Sequence, residues 1–472
     1  MRKALILAVM GLFLGSALSK ATDLPIVTHY ALDVQFLLQQ NRIRVSAVIV
    51  VKNSTAQAQS ELPFILYRLF SVSQVTDSRG NPLQFRQNIV QLQDEPSMQV
   101  RELLVHLPAP LKPHDSAQIT LVYEGLMLGY AEVMQYVKDR VDEEYALLRP
   151  DALAYPLLCR STFESMLSAF NTRFTYQIDA TVPRGYTVAC GGALVDSRAT
   201  ADSVTFVFRS KVPTWRMDIA AAKFSEMKNP EDQLVVYYLP DDSAGARRVL
   251  HASKDVIALY SRMFGRPTSF QGYTVIEIPD GWGSQASDYY FLQTAAAFKD
   301  STKIGEVYHE VGHTWNAKPS QEIQRCRWFD EAFASFFEAL ALRAFQGKRA
   351  FEEDMETSRD LFVRWVNHDK EIFQTPIADY GKKELGRHSY TKGAWSLYVL
   401  YELAGEETFN RIIRTMLAEF EGKTIDFVGF QKLCERVTKK NLDKFFQEWI
   451  YGLESSKLLV EKTPVSEIVK RY

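Results

Sequence analysis

"YHEVGHTWNAK", Tyr308 to Lys318, places two histidines four positions apart with a glutamate directly after the first. On a helix, His309 and His313 lie one turn apart on one face, so their rings can converge on a single ion. Zinc accepts neutral imidazole readily, and catalytic zinc sites use three protein ligands and keep a place for water. Glu310, one residue round the helix, would flank that water and take its proton, which is the HExxH arrangement. The spacing predicts a helix over Lys303–Lys318, ended by Pro319. The competing reading is a surface helix that carries these residues by chance. With only 8 histidines in the chain, such a match arises in roughly one such chain in a hundred.

A third ligand is expected downstream. In "WFDEAFASFFEAL" (Trp328 to Leu340), Trp328, Ala332, Phe336 and Phe337 form an apolar face, while Glu331, Ser335 and Glu338 share another. Glu331 is the third-ligand candidate. Glu338, two turns on, is a candidate brace behind a ligand. For both, a solvated helix carboxylate is the bland alternative.

The chain around this stretch divides in two. At 472 residues it exceeds one ordinary core, so more than one domain is expected. From about residue 24 to 225 the apolar residues mostly alternate, as in "YALDVQFLLQ" (Tyr30 to Gln39), "RIRVSAVIVVKN" (Arg42 to Asn53) and "RFTYQIDATVP" (Arg173 to Pro183), which read as strands. Beyond it, helical spacing dominates: Ala244–Gly265, Trp328–Ala344, Glu352–His368 and Tyr390–Leu403. The fold class is therefore α+β and multidomain. A β-rich N-terminal domain of the sandwich kind (22–225) precedes a mostly α-helical domain (226–472) that carries the histidines.

Composition narrows the function classes. Hydrophobic residues make up 46% and charged residues 24%, as in ordinary globular proteins. A net charge of −2 offers no footprint for nucleic acid or an anionic membrane. Arg2 and Lys3, the apolar run Ala4 to Ala17, and the small residues Ala17 and Ser19 read as a signal peptide over residues 1–21. The run is shorter than the ~20 residues a spanning helix needs, and no later segment is long and apolar enough. Export to a periplasm or the outside medium is expected, with no stable membrane insertion after cleavage. Cys159, Cys190, Cys326 and Cys434 allow three pairings, and free thiols are equally compatible with the sequence.

"HEVGH…WFDEAFASFFE" resembles the gluzincin zinc metallopeptidases of the aminopeptidase N family. The resemblance extends to "THYALDVQF" (Thr28 to Phe36), "MFGRPTSFQGYTVIEIP" (Met263 to Pro279) and "NLDKFFQEWIYG" (Asn441 to Gly452). It implies a thermolysin-like catalytic domain, one Zn2+ per chain held by His309, His313 and Glu331, and a peptide or protein substrate. "HSYTKGAWSLYVL" (His388 to Leu400) is similar to that family's tyrosine-x-lysine-glycine start, so the resemblance gives Tyr390 the role of oxyanion donor beside Glu310. "HTWNAK" (His313 to Lys318) is also similar to the related glycyl aminopeptidases.

Three departures stand out. Asp330 occupies the place of the family's asparagine, and the stretch from His313 to Glu331 is one residue shorter. At the GxMEN loop, whose glutamate binds the substrate's α-amino group, this sequence has Gly283, Ser284, Gln285 and Ala286. Alanine takes the glutamate's place, and Asp288 or Glu277 would have to replace it. Backbone pairing of an extended substrate with residues 283–286 is retained as an expectation. The resulting expectation is an exported zinc metallopeptidase of aminopeptidase type. The alternatives are an endopeptidase, another zinc hydrolase of the same fold, or an inactive exported peptide-binding protein.

Overall fold

A seven-stranded sheet forms the larger layer of the N-terminal half, in the order 193–199, 203–209, 175–183, 26–37, 42–52, 116–126, 70–77. This computed structural model describes residues 24–472; the segment read as a signal peptide lies outside the described residues. The alternation seen in the sequence is the alternation of burial. In Arg42–Lys52, Ile43, Val45, Ala47, Ile49 and Val51 face inward while the residues between them stay accessible. Their side chains meet those of a four-stranded sheet (85–91, 99–111, 59–67, 157–158) across one apolar core.

A three-stranded sheet of Thr187–Cys190, Ile219–Ala222 and Ala146–Leu148 joins the two halves. Its small residues Ala189, Ala220 and Ala222 pack with Tyr145 and Phe224 against Ile276, Ile278, Trp282 and Leu292 of the second half. The second half opens on a mixed five-stranded sheet in the order 225–229, 234–238, 273–278, 290–294, 285–287. The order leaves the short strand Gln285–Ser287 at an edge, paired on one side only. Helices complete the core, beginning with Ser243–Phe264. A β-rich domain followed by a helical one is the class the periodicity indicated.

Two helices differ from their sequence expectation. The first spans only Gly305–Gly312 and tightens into a 3-10 turn over His313–Trp315. Lys318 and Ser320 then bond with Ile425, which holds the chain extended and stops the helix before Pro319. The helix expected from Tyr390 begins at Lys392, and Tyr390 ends a 3-10 segment, Gly386–Tyr390. Ser389 donates to the carbonyl of Cys326 at 2.7 Å, which fixes that segment against the neighbouring turn. All four cysteines are free and buried, and no described helix is long and apolar enough to cross a membrane.

Glu277, in the buried strand Tyr273–Ile278, accepts the Leu239 N–H at 2.7 Å. Burial, then a hydrogen bond with Asp242, pushes its carboxyl up to about 8; Lys299 pulls weakly the other way. The folded chain thus keeps a proton on Glu277 that the unfolded chain loses above its ordinary value of 4.5. Stability contributed here is greatest below that value and falls as pH rises to about 8. Glu277→Gln should therefore flatten the pH dependence of Tm, gaining about 2–4 °C over the wild type at pH 8.5 and less at pH 5.5. Equal slopes in the two proteins would contradict this.

Candidate active site

His309 sits in the last turn of the Gly305–Gly312 helix and His313 starts the tighter turn after it, with ring centroids 5.0 Å apart. Glu331 arrives from the widened π-turn Trp328–Ala332 that opens the helix Phe333–Gln346. Its Oε2 lies 3.1 Å from His309 Nε2 and 3.7 Å from His313 Nε2. The three donor atoms fall within 4.8 Å of one another. A tetrahedral zinc ion with ligands at ~2.0–2.1 Å would hold them roughly 3.3 Å apart. Two imidazoles and one carboxylate at these separations fit zinc. The shorter stretch before Glu331 does not keep it from the histidines.

The remaining ring nitrogens face carboxylates. His309 Nδ1 is 3.4 Å from Glu338 Oε2, and His313 Nδ1 is 2.9 Å from Asp330 Oδ1. Such partners fix the tautomer that leaves Nε2 free for a metal. Glu338 therefore occupies the bracing place expected of it. Gly305 makes that contact achievable, because a Cβ there would stand 2.4 Å from Glu338 Oε1. Behind Glu338, burial and its negative charge push Asp354 up to about 7. Burial disfavours a charged imidazole at His309, yet Glu331 and Glu338 outweigh it and hold its pKa well above the ordinary value. The folded site thus presents a negative field around the nitrogens where a cation belongs.

Glu310 is buried, and its Oε2 has no partner among the described residues. Burial pushes this carboxyl up to about 7 against the pull of His313 and His309. The Tyr390 ring lies nearly parallel to that of His309, at 5.6 Å and 7°. Burial first, and the Glu331 charge second, raise its phenol well above the ordinary value, so it remains an O–H donor.

The loop before the histidines is held from the other half of the chain. Arg149 donates to Gln285 Oε1 at 3.1 Å and to the Trp282 carbonyl at 2.9 Å, while its Nε bonds Asp139. Arg216, paired with Asp218 and Asp151, donates to the same Gln285 oxygen at 2.7 Å. Gln285 Nε2 donates to Asp151 in return. Ser284 Oγ accepts from Gln293 and from the Thr294 N–H. The polar side chains of residues 283–286 are thus spent on the protein itself, and Ala286 offers none. Neither suggested substitute is free: Asp288 pairs with Arg173, and Glu277 is turned to Leu239. Sequence reasoning missed Arg149, Arg216, Asp151 and Asp354. None stands in a motif: the fold gathers Arg149, Arg216 and Asp151 around Gln285, and sets Asp354 near Glu338.

The HExxH pair with a distant glutamate defines a zinc-hydrolase site of the gluzincin class. Comparison places it further: residues 288–449 match the Peptidase family M1 domain. The matched segment contains His309, His313 and Glu331. The chain is 22% identical over 303 residues to the glutamyl aminopeptidase of Homo sapiens, covering 59% of this chain and 32% of that one. It is 21% identical over 311 residues to the leucyl aminopeptidase of Saccharolobus solfataricus, covering 58% and 38%. The chain thus spans about a third of the length of these curated relatives. An M1 zinc metallopeptidase from Deinococcus radiodurans shares the fold with a TM-score of 0.66 at 15% identity, covering 92% of this chain and 94% of that one. Yeast LTA4 hydrolase does so with 0.68 at 16% identity, over 92% and 69%.

The donor set makes zinc content a direct test. Chelator-treated protein should regain several degrees of Tm on adding equimolar zinc, since a ligand that binds only the folded state stabilises it. Glu331→Ala and His313→Ala should lose that gain, and equal gains in these variants would remove the residues from the metal set.

Proposed function

We propose that this chain is an exported, zinc-dependent metallopeptidase of aminopeptidase type. The observation that carries the reading is the convergence of His309, His313 and Glu331 with the partnerless oxygen of Glu310 beside them. Zinc bound there supplies a Lewis acid that polarises the scissile carbonyl and makes water easier to deprotonate. Glu310 takes the proton of the attacking water, and its pKa near 7 suits it to give that proton to the leaving amine as the C–N bond breaks. Tyr390 donates a hydrogen bond to the carbonyl oxygen as it becomes negative, adding no fixed charge of its own. The free edge of Gln285–Ser287 offers backbone groups to an extended peptide.

Relatives named as aminopeptidases support removal of N-terminal residues. The Deinococcus enzyme, a variant of which was crystallised with a Tyr-Ser-Ala substrate, supports a peptide substrate. Export rests on the basic and apolar opening of the sequence. Cleavage within chains is a second reading, favoured by Ala286 and by the commitment of Gln285 and Ser284 to internal partners.

A peptide set with free and acetylated N-termini separates the two readings. Acetylation should reduce turnover at least tenfold for an aminopeptidase, and indifference to it would establish the endopeptidase reading. Glu310→Gln should lower kcat by about 10³-fold or more, because it removes the proton carrier and leaves the metal set intact. Full turnover by that variant would refute the assigned role.

A further inference from the structure

Arg327 is the residue the metal set does not explain. It precedes the π-turn that delivers Glu331, in left-handed backbone at φ 56°, a conformation costly for any residue but glycine. One nitrogen, Nη2, contacts both Asp330 Oδ2, at 3.0 Å, and Glu331 Oε1. Nε and Nη1 make no hydrogen bond among the described residues. The side chain is 46% exposed where Glu331 beneath it is 4% exposed, so the free N–H groups open to solvent at the metal site.

Its surroundings place it beside Tyr390, the proposed oxyanion donor. The guanidinium carbon lies 6.0 Å from the Tyr390 ring centroid. Gly386, in the segment that carries Tyr390, packs closely on this turn: a Cβ there would stand 2.4 Å from the Arg325 carbonyl oxygen and 3.2 Å from Arg327 Cγ. Both acceptors of Nη2 are shared, Asp330 with His313 and Glu331 with both histidines. Arg327 thus balances these carboxylates through Nη2 alone, and Nε and Nη1 remain available to donate to a further anion. On the facing loop, Ala286 has no charge and Asp288 is paired with Arg173.

We infer that Arg327 is a carboxylate-binding subsite, and that the peptides this chain takes carry an anionic group beside the scissile bond. A charge-assisted N–H···O⁻ bond is roughly twice as strong as a neutral one, and arginine is suited to such recognition. The carboxylate can belong to an acidic side chain or to the peptide's C-terminus. This inference rests on the peptide-hydrolase reading and is tested apart from it.

The experiment measures binding of short peptides to zinc-loaded Glu310→Gln protein, so that turnover is not required. One arm compares C-terminal acids with amides, and the other compares glutamate with glutamine at successive positions. In one arm the anionic member should bind about tenfold tighter or better. Adding Arg327→Met should bring that ratio close to one, and Arg327→Lys should restore part of it. Because each ratio is taken within a single variant, a general loss of affinity cancels. Arg327→Gln replaces Arg327→Met should the latter fail to hold zinc. Indifference to the carboxylate in both arms, or a preference that survives loss of the guanidinium, would overturn the inference. A carboxylate preference in a protein whose wild type cleaves no peptide would leave the subsite standing and remove the peptidase reading.

Discussion

A buried carboxylate organises this active site. Glu331 is almost without solvent, and an unpaired carboxylate in such a place costs several kcal/mol. The fold answers with His309, His313 and Arg327, each contributed by a different point of two adjoining elements. Both histidines need their other nitrogen satisfied, which calls for Glu338 and Asp330. Glu338 in turn needs the space above Gly305. The geometry that suits zinc is therefore the geometry in which one buried negative charge is best surrounded.

The same logic recurs where the two halves meet. Arg149 and Arg216 have almost no exposure and are matched by Asp139, Asp151 and Asp218. Replacing such clusters by apolar residues is often neutral or stabilising in other proteins, so stability alone is a weak reason to keep one. What this cluster does locally is hold Gln285 and the Trp282 carbonyl. The β-rich half thereby fixes the edge strand beside the histidines and acts on the site it does not itself contain.

Reading the sequence reached the grouping of His309, His313 and Glu331 and the alternation of the β-rich half, because those signals are local. His309, Glu310 and His313 occupy a single turn, and strand periodicity is written every second residue. The brace Glu338 was legible for the same reason, two helical turns from Glu331. What stayed hidden depends on long-range placement. Asp330 drew notice as an asparagine position changed, without its role beside His313. Arg327, directly before the quoted "WFDEAFASFFEAL", carries no signal in the sequence, because its contact with Glu331 depends on the left-handed turn at that residue. The early end of the histidine helix was equally invisible, since it is set by pairing with Ile425, more than a hundred residues away.

These placements bear on how a familiar motif can coexist with altered recognition. The groups proposed for catalysis lie on helical segments packed against the core, and the proposed chemistry requires only that Glu310, Tyr390 and the three candidate ligands keep their places. Recognition is assigned to groups that approach from outside that core: the loop, held by Arg149 and Arg216, and the arginine at the mouth. Alanine at residue 286 offers no carboxylate to a substrate and disturbs none of the candidate ligands. In the proposed subsite, the guanidinium at residue 327 adds a donor for an anion near the same site. The two features act in the same direction. A site with cationic donors on one wall and a neutral loop on the other discriminates by charge before it discriminates by shape.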